Sequence, residues 1–199
     1  MELCRYIVTI ISLKNIKSYF DHTPAWDKYN LEISAYQKEK KGDFKGAIED
    51  LSFAIKDKNL DYYLLFERGK LLFKIKKYKE GKNDLAEFLN AKLKHNSYRY
   101  NFEALFYIGC CDIILRVIDI DGLINLNYEL SKFHCEGEKY NNFLIALLHS
   151  VDKDFEKSLD YLLKIRNLDT DFLKNKYPYL LEHLPQEMKT ILELCWHII

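Results

Sequence analysis

Apolar residues recur along the chain with the period of an α-helix. Between positions 44 and 56 they fall at every third or fourth residue, which predicts one helix with a single apolar face. Gly42 and Asp43, just before it, supply a turn glycine and an N-cap carboxylate. An earlier helix is predicted over residues 23–41, because it begins with a Thr-Pro pair and proline is tolerated at the first helical position. The first structural unit is therefore a helical hairpin.

The hairpin pattern repeats. Five positions have counterparts 34 residues later: Ala35, Phe44, Ala47, Leu51 and Ala54 are followed by Gly69, Tyr78, Gly81, Leu85 and Phe88. Weaker copies contain Gly109, Leu123, Leu130 and Phe133, and then Ala146, Phe155, Ser158, Leu162 and Ile165. The large position follows the small one by nine residues in units one, two and four but by fourteen in unit three, which predicts a longer loop over residues 117–122. Repetition at this period is typical of helical solenoids.

The small residues have a predicted structural role. Gly69 and Gly81 fall inside predicted helices, where glycine costs about 1 kcal/mol relative to alanine. Close approach of the two helix backbones would offset that cost. The same contact is predicted at Ala35, Ala47, Ala146 and Ser158, with Phe44, Tyr78 and Phe155 filling the wedge beyond it.

Two segments carry a family signature, GDFKGAIEDLSFAI (42–55) and YLLFERGKLLFKIKKYKEGKNDLAEFL (63–89). They resemble the tetratricopeptide repeat (TPR) family, whose units of 34 residues have small residues at positions eight and twenty and an aromatic residue at seventeen. The resemblance covers residues 28–168, with two clear and two degenerate repeats. It implies an all-α fold, a right-handed TPR-like superhelix of helical hairpins. No unit keeps the family's proline near its end, and Leu31 replaces the aromatic residue at position four.

One domain is expected over residues 1–199. Solenoids need lids over their terminal repeats, and both ends of this chain carry amphipathic segments that predict capping helices. The β-branched run near the N-terminus is also compatible with a short strand. The predicted division is an N-terminal cap at 1–22, repeats at 23–60, 61–95, 96–136 and 137–168, and a C-terminal cap at 169–199.

The resemblance also implies a concave groove, lined by the first helix of each repeat, that captures a peptide or helix of another protein. The residues predicted to bind the partner are Tyr29, Tyr36, Lys40, Tyr63, Phe66, Lys70, Phe73, Lys74 and Phe106. Aromatic rings beside lysines suit an amphipathic helix or an extended peptide that bears acidic residues. Alternatively, some of these aromatic residues pack against the terminal helices. Glu32 and Tyr36 stand where chaperone-binding members have Lys and Asn, so capture of chaperone tails is not expected.

The predicted function is a non-catalytic protein-interaction module or adaptor, and the compact size and neutral charge also allow an inhibitory or immunity-type role. The alternative is a nucleic-acid-binding regulator that uses Lys74, Lys76, Lys77, Lys79 and Lys82. Thirty basic and thirty acidic residues give a formal net charge of zero. The chain therefore lacks the overall positive field that draws proteins to nucleic acid or anionic membranes, which makes nucleic acid the weaker alternative.

No catalytic residue, metal site or cofactor is predicted. The pairs Cys110-Cys111 and His134-Cys135 are adjacent in sequence, whereas zinc ligands are usually spaced two to four residues apart. The five cysteines are odd in number and irregularly spaced, which favours reduced thiols acting as small hydrophobic residues in a cytoplasmic protein. No stretch approaches the roughly 20 apolar residues that span a membrane.

Overall fold

The computed structural model describes residues 24–56, 62–91, 98–132, 137–168, 186, 189 and 190. The predicted N-terminal cap at 1–22 lies outside these residues, as does nearly all of the predicted C-terminal cap at 169–199. Phe133 and the His134-Cys135 pair also lie outside them.

The described residues form eight α-helices and no β-strand. This confirms the all-α prediction. The helices are α1 (Pro24–Lys40), α2 (Phe44–Ile55), α3 (Tyr62–Lys74), α4 (Tyr78–Asn90), α5 (Tyr98–Ile114), α6 (Ile120–Ser131), α7 (Gly137–Val151) and α8 (Phe155–Leu168).

Consecutive helices pack as hairpins, α1 with α2, α3 with α4, α5 with α6 and α7 with α8. The second helix of each hairpin then packs on the first helix of the next, so that α2 contacts α3, α4 contacts α5 and α6 contacts α7. First helices also meet across hairpins, α3 with α5 and α5 with α7. Stacked hairpins of this kind build a helical solenoid, in which each unit buries its apolar face against its neighbours.

The two helices of the second hairpin cross at a pair of glycines. A Cβ atom placed on Gly81 would lie 2.8 Å from the carbonyl oxygen of Gly69, which is closer than side-chain carbons come. In the fourth hairpin the Ser158 hydroxyl donates a 2.8 Å hydrogen bond to the carbonyl of Ala146. The predicted close contact is confirmed, since the small residues at these crossings are all buried: Ala35, Ala47, Gly69, Gly81, Ala146 and Ser158.

The three aromatic residues predicted to fill the wedge beyond this contact differ in how deeply they are buried. Phe44 and Tyr78 are half-buried and pack against the core as predicted. Phe155 is 39% exposed, so its predicted role as a wedge filler is wrong.

The third hairpin departs from the expected register. Its turn covers residues 115–119, whereas the predicted loop was 117–122, because α6 begins earlier than the sequence indicates. Leu123 lies three residues into its helix, as Gly81 does in α4, and so occupies the small-residue position rather than the aromatic one. The Asp119 carboxylate accepts a 3.0 Å hydrogen bond from the backbone of α6 and caps that helix. The insertion is therefore a longer turn, five residues instead of three.

Each hairpin turn contains one residue with left-handed backbone. The φ angle is 80° at Gly42, 65° at Lys76, 56° at Arg116 and 63° at Lys153. The next residue's N–H then donates to the carbonyl five residues back, at 2.8 or 2.9 Å, as in a Schellman motif. Of these four turns only the first uses glycine, so the turn geometry recurs more faithfully than its sequence.

The buried apolar side chains of the described residues form two clusters. The larger cluster spans the second to fourth hairpins and includes Phe66, Phe73 and Phe106. The smaller cluster joins the first hairpin to Leu64 and Leu71 of α3. Helix α3 therefore contributes to both clusters.

Cys110 and Cys111 of α5 are fully buried free thiols in the larger cluster. Burial raises the pKa of both, that of Cys111 to about 12. For these two cysteines the interpretation as small hydrophobic residues is confirmed.

Candidate partner-binding groove

A cavity of about 450 Å³ opens between α1 and α3, the first helices of neighbouring hairpins. These two helices pack less closely against each other than α3 packs against α5. The cavity, called the α1–α3 groove below, is lined by Tyr29, Glu32, Ile33, Ala35, Tyr36, Glu39, Leu51, Tyr63, Glu67, Lys70 and Leu71.

Helix α1 presents large apolar side chains to this groove. Tyr29 is 53% exposed, Ile33 37% and Tyr36 56%. Their spacing of four and three residues places them on one face of the helix. The sequence predicted both tyrosines but missed Ile33, although its position four residues after Tyr29 was the available signal.

The opposite wall is built around Tyr63 of α3. Its ring is half-buried and lies 5.0 Å from the ring of Tyr100, centroid to centroid. Burial, and then the neighbouring carboxylate of Glu67, raise the pKa of Tyr63, so the hydroxyl keeps its proton. Tyr63 was predicted from the sequence, whereas Glu67 was not.

Three predicted groove residues lie in the core instead. Phe66, Phe73 and Phe106 have no exposed surface. Phe66 and Phe73 each contact an aromatic ring of α5 at 5.3 Å, and Phe106 contacts Tyr140 of α7 at 4.8 Å. Because α5 packs on α3 and α7 packs on α5, these positions are closed, and their predicted placement on an open groove surface is wrong.

Two of the three predicted groove lysines, Lys70 and Lys74, are engaged by carboxylates of the same chain. Lys74 Nζ lies 2.6 Å from Glu39 Oε1, and this pair joins α3 to α1. Lys70 Nζ lies 3.2 Å from Glu67 Oε2, one helical turn away. The basic groove that the sequence indicates is therefore largely neutralised.

Two charged side chains of α1 remain beside the exposed tyrosines. The Lys40 ammonium lies 4.5 Å from the ring centroid of Tyr36, a cation–π contact at the end of the helix. Glu32 is half-buried in the groove between Tyr29 and Tyr36. Among the described residues it has no hydrogen-bond or ion-pair partner.

The lysine run proposed for nucleic acid forms no continuous free patch in the described chain. Lys74, Lys77 and Lys82 each form an ion pair with a carboxylate. Three of the five candidate lysines are thus already neutralised, which removes support from the nucleic-acid alternative.

The described residues show neither a metal-binding cluster nor a membrane-spanning helix. No group of three or more His, Cys, Asp or Glu side chains in the described ranges is placed to hold a metal ion. None of the helices described is long and apolar enough to cross a membrane.

Comparison with known structures shows the fold. The chain is similar to the structure titled "MamA RS-1 ArsTM double mutant", a TPR-type helical-repeat protein, with a TM-score of 0.55 and 15% sequence identity. The match covers 85% of this chain and 96% of the other. The fold is TPR-like. At this identity the likeness concerns the fold alone, and neither a protein-family model nor a curated protein matches the sequence.

Proposed function

We propose that this protein is a non-catalytic interaction module that captures a peptide or helix of a partner protein in the α1–α3 groove. Capture could serve an adaptor role or inhibit the partner. The observation that supports the proposal is the apolar stripe of Tyr29, Ile33 and Tyr36, which faces an open cavity rather than another of the described helices.

Two physical features favour binding at this place. Exposed apolar surface lined up along one helix is unfavourable in water and is typical of interaction sites. Tyrosine is also enriched among the residues that dominate binding energy, because its ring is large and rigid. The groove therefore offers anchors for an amphipathic segment, as in other helix-in-groove complexes.

We infer a cytoplasmic location from the thiols. Cys110 and Cys111 are free and buried in the core, and reduced cysteines of this kind suit a reducing compartment.

The test is a pull-down from the native cell, followed by mass spectrometry. The double variant Tyr29→Ala, Tyr36→Ala should lose the proteins that the unmodified chain retains. Because both side chains are more than half exposed, helix content and melting temperature should change little.

Tyr128→Ala is the matched control. Tyr128 of α6 is 66% exposed and has Lys132 over its ring at 4.6 Å, so it resembles Tyr36 in its exposure and in its cation–π contact. The control should retain the same proteins. Loss of the same proteins in both variants, or in neither, would contradict the groove as the capture site.

A further inference from the structure

We propose that the α1–α3 groove selects a basic partner segment, one with an apolar face and a lysine or arginine that is held by Glu32 between Tyr29 and Tyr36. This inference rests on the proposed function and adds the chemistry of the partner. It reverses the charge that the sequence indicates for the partner.

The first argument is the charge inventory of the groove. Among the described residues, its lining contains three carboxylates, Glu32, Glu39 and Glu67, and one ammonium group, Lys70. Lys70 pairs with Glu67 at 3.2 Å, and Lys74 reaches Glu39 at 2.6 Å. Two carboxylates are therefore neutralised by described lysines, and no described residue pairs with Glu32, which leaves its charge for a partner.

The second argument is the position of Glu32. It follows Tyr29 by three residues and precedes Tyr36 by four, so the three side chains are neighbours on one helix face. A half-buried carboxylate has lost part of its hydration, and a cationic partner compensates for that loss. Tyrosine rings attract the same cation through their π-electrons. The Lys40 ammonium already makes a contact of this kind with the Tyr36 ring, 4.5 Å from its centroid.

The third argument concerns the apolar part of the segment. Ile33, Tyr63 and Leu71 line the groove beside the charged site. The cavity of about 450 Å³ falls within the range of roughly 300–1,000 Å³ that is typical of binding pockets. An acidic segment would seat its apolar residues equally well, but its carboxylates would lie near Glu32. The lysine among the described lining residues, Lys70, already pairs with Glu67. A basic amphipathic segment satisfies both requirements.

The experiment compares two fluorescent helical peptides by anisotropy titration against the full chain. Both peptides carry the same leucine face, one with lysine flanks and the other with glutamate flanks. The lysine probe should bind at least about tenfold more tightly, which corresponds to one good charge-assisted contact. Glu32→Gln should reduce the difference, and Glu32→Lys should reverse it.

Glu156→Lys is the matched control, because it makes the same charge change at an exposed position on α8. This variant should keep the preference of the unmodified chain. Equal reversal in both variants would show a general effect of net charge and would overturn the role of Glu32.

Failure of the charge preference is distinguishable from failure of groove capture. If both probes bind equally well and Tyr29→Ala, Tyr36→Ala weakens both, the groove stands and the basic preference is wrong. If the double variant binds both probes normally, the groove proposal fails as well. Absence of lysine-probe binding up to about 1 mM also overturns the inference.

Two other occupants would give their own results. The segment before α1 carries Arg5, Lys14 and Lys17 beside an apolar run. If glutamine at these three positions raises the affinity for the lysine probe, this segment competes for the groove. If the free protein sediments as a dimer that the probe dissociates, a second copy fills it. Either result would overturn the proposal that a separate partner protein occupies the groove.

Discussion

The Arg68 guanidinium of α3 donates two hydrogen bonds to the Asp84 carboxylate of α4, from Nε at 2.7 Å and from Nη2 at 2.8 Å. Arg68 Nη1 also donates to the Ser52 hydroxyl of α2 at 3.2 Å. Both charged side chains are largely buried, with 21% and 10% of their surface exposed, and Asp84 raises the pKa of Arg68. One arginine thus links three consecutive helices.

Replacing Asp84 should test this link. Asp84→Ala leaves a mostly buried guanidinium without its partner, so the free energy of unfolding should fall by about 2–3 kcal/mol. Arg68→Lys should also destabilise, because lysine cannot make the two-pronged contact. Urea unfolding followed by circular dichroism measures both changes.

Glu80→Ala provides the comparison. Glu80 pairs with Lys77 on the surface, where both side chains are more than half exposed. Removal of that pair should change stability little, since solvent screens exposed charges. If Glu80→Ala lowered the free energy of unfolding as much as Asp84→Ala does, the buried Arg68–Asp84 pair would stabilise the fold no more than a surface pair.

The left-handed turns predict a stabilising substitution. Lys76 has a φ of 65°, and a non-glycine residue in this conformation costs about 1 kcal/mol or more. Lys76→Gly should therefore raise the free energy of unfolding by about 1 kcal/mol, less the flexibility that glycine adds to the unfolded chain. Lys79→Gly, the same change in the first turn of α4, should lower it instead. If Lys76→Gly and Lys79→Gly lowered the free energy of unfolding equally, backbone strain at Lys76 would be contradicted.

The corrected placement of the aromatic residues separates core from surface. Phe66→Ala removes a fully buried ring and should cost about 3–5 kcal/mol of unfolding free energy. Tyr36→Ala alters a side chain that is 56% exposed and should stay within about 0.5 kcal/mol of the original. Thermal and urea denaturation give both values. The reverse order would place Phe66 on the surface and Tyr36 in the core.

The buried thiols predict a loss of stability at high pH. Burial raises the pKa of Cys111 to about 12 in the folded state, whereas an exposed thiol titrates near 9.0. Above pH 9 the unfolded chain therefore binds fewer protons than the folded chain. The free energy of unfolding should fall between about pH 9 and 12, by at most about 1.4 kcal/mol per pH unit for this group.

Urea titrations across this pH range measure the slope. Cys111→Ala should make the fall of the unfolding free energy with pH less steep, because the contribution of this thiol is removed. The contributions of Cys110 and Tyr63, whose pKa values are also raised, should remain. An unchanged slope would show that Cys111 titrates alike in both states.

Local features were the most predictable from the sequence. The Gly69 and Gly81 contact follows from two helix-disfavoring residues that recur in register, and the Asp43 cap follows from a carboxylate just before a helix, where it accepts from Gly46 N–H at 2.9 Å. In the third hairpin the predicted register was wrong, because its second helix begins with Ile120 where those of the other hairpins begin with an aromatic residue. The turns with left-handed backbone at Lys76 and Lys153 contain no glycine at that position, so this conformation could not be predicted from a glycine in the sequence.

Contacts between repeats were less predictable. Phe66 and Tyr63 both belong to groove positions of the resemblance, yet one is enclosed by α5 and the other lines an open cavity. The difference depends on how closely the first helices of neighbouring hairpins approach each other. The spacing of residues along one helix does not contain that information. Pairs such as Lys74 with Glu39, which lie 35 residues apart, are hidden for the same reason.

The division of the core into two clusters has a consequence for motion. The α1 wall of the groove rests on the smaller cluster, whereas α3 is also fixed by Phe66 and Phe73 in the larger one. We therefore expect the first hairpin to unfold as a subglobal unit more readily than the other hairpins. A bound segment would bridge the two clusters, so saturation should slow amide hydrogen exchange in α1 and α2 far more than in α7 and α8.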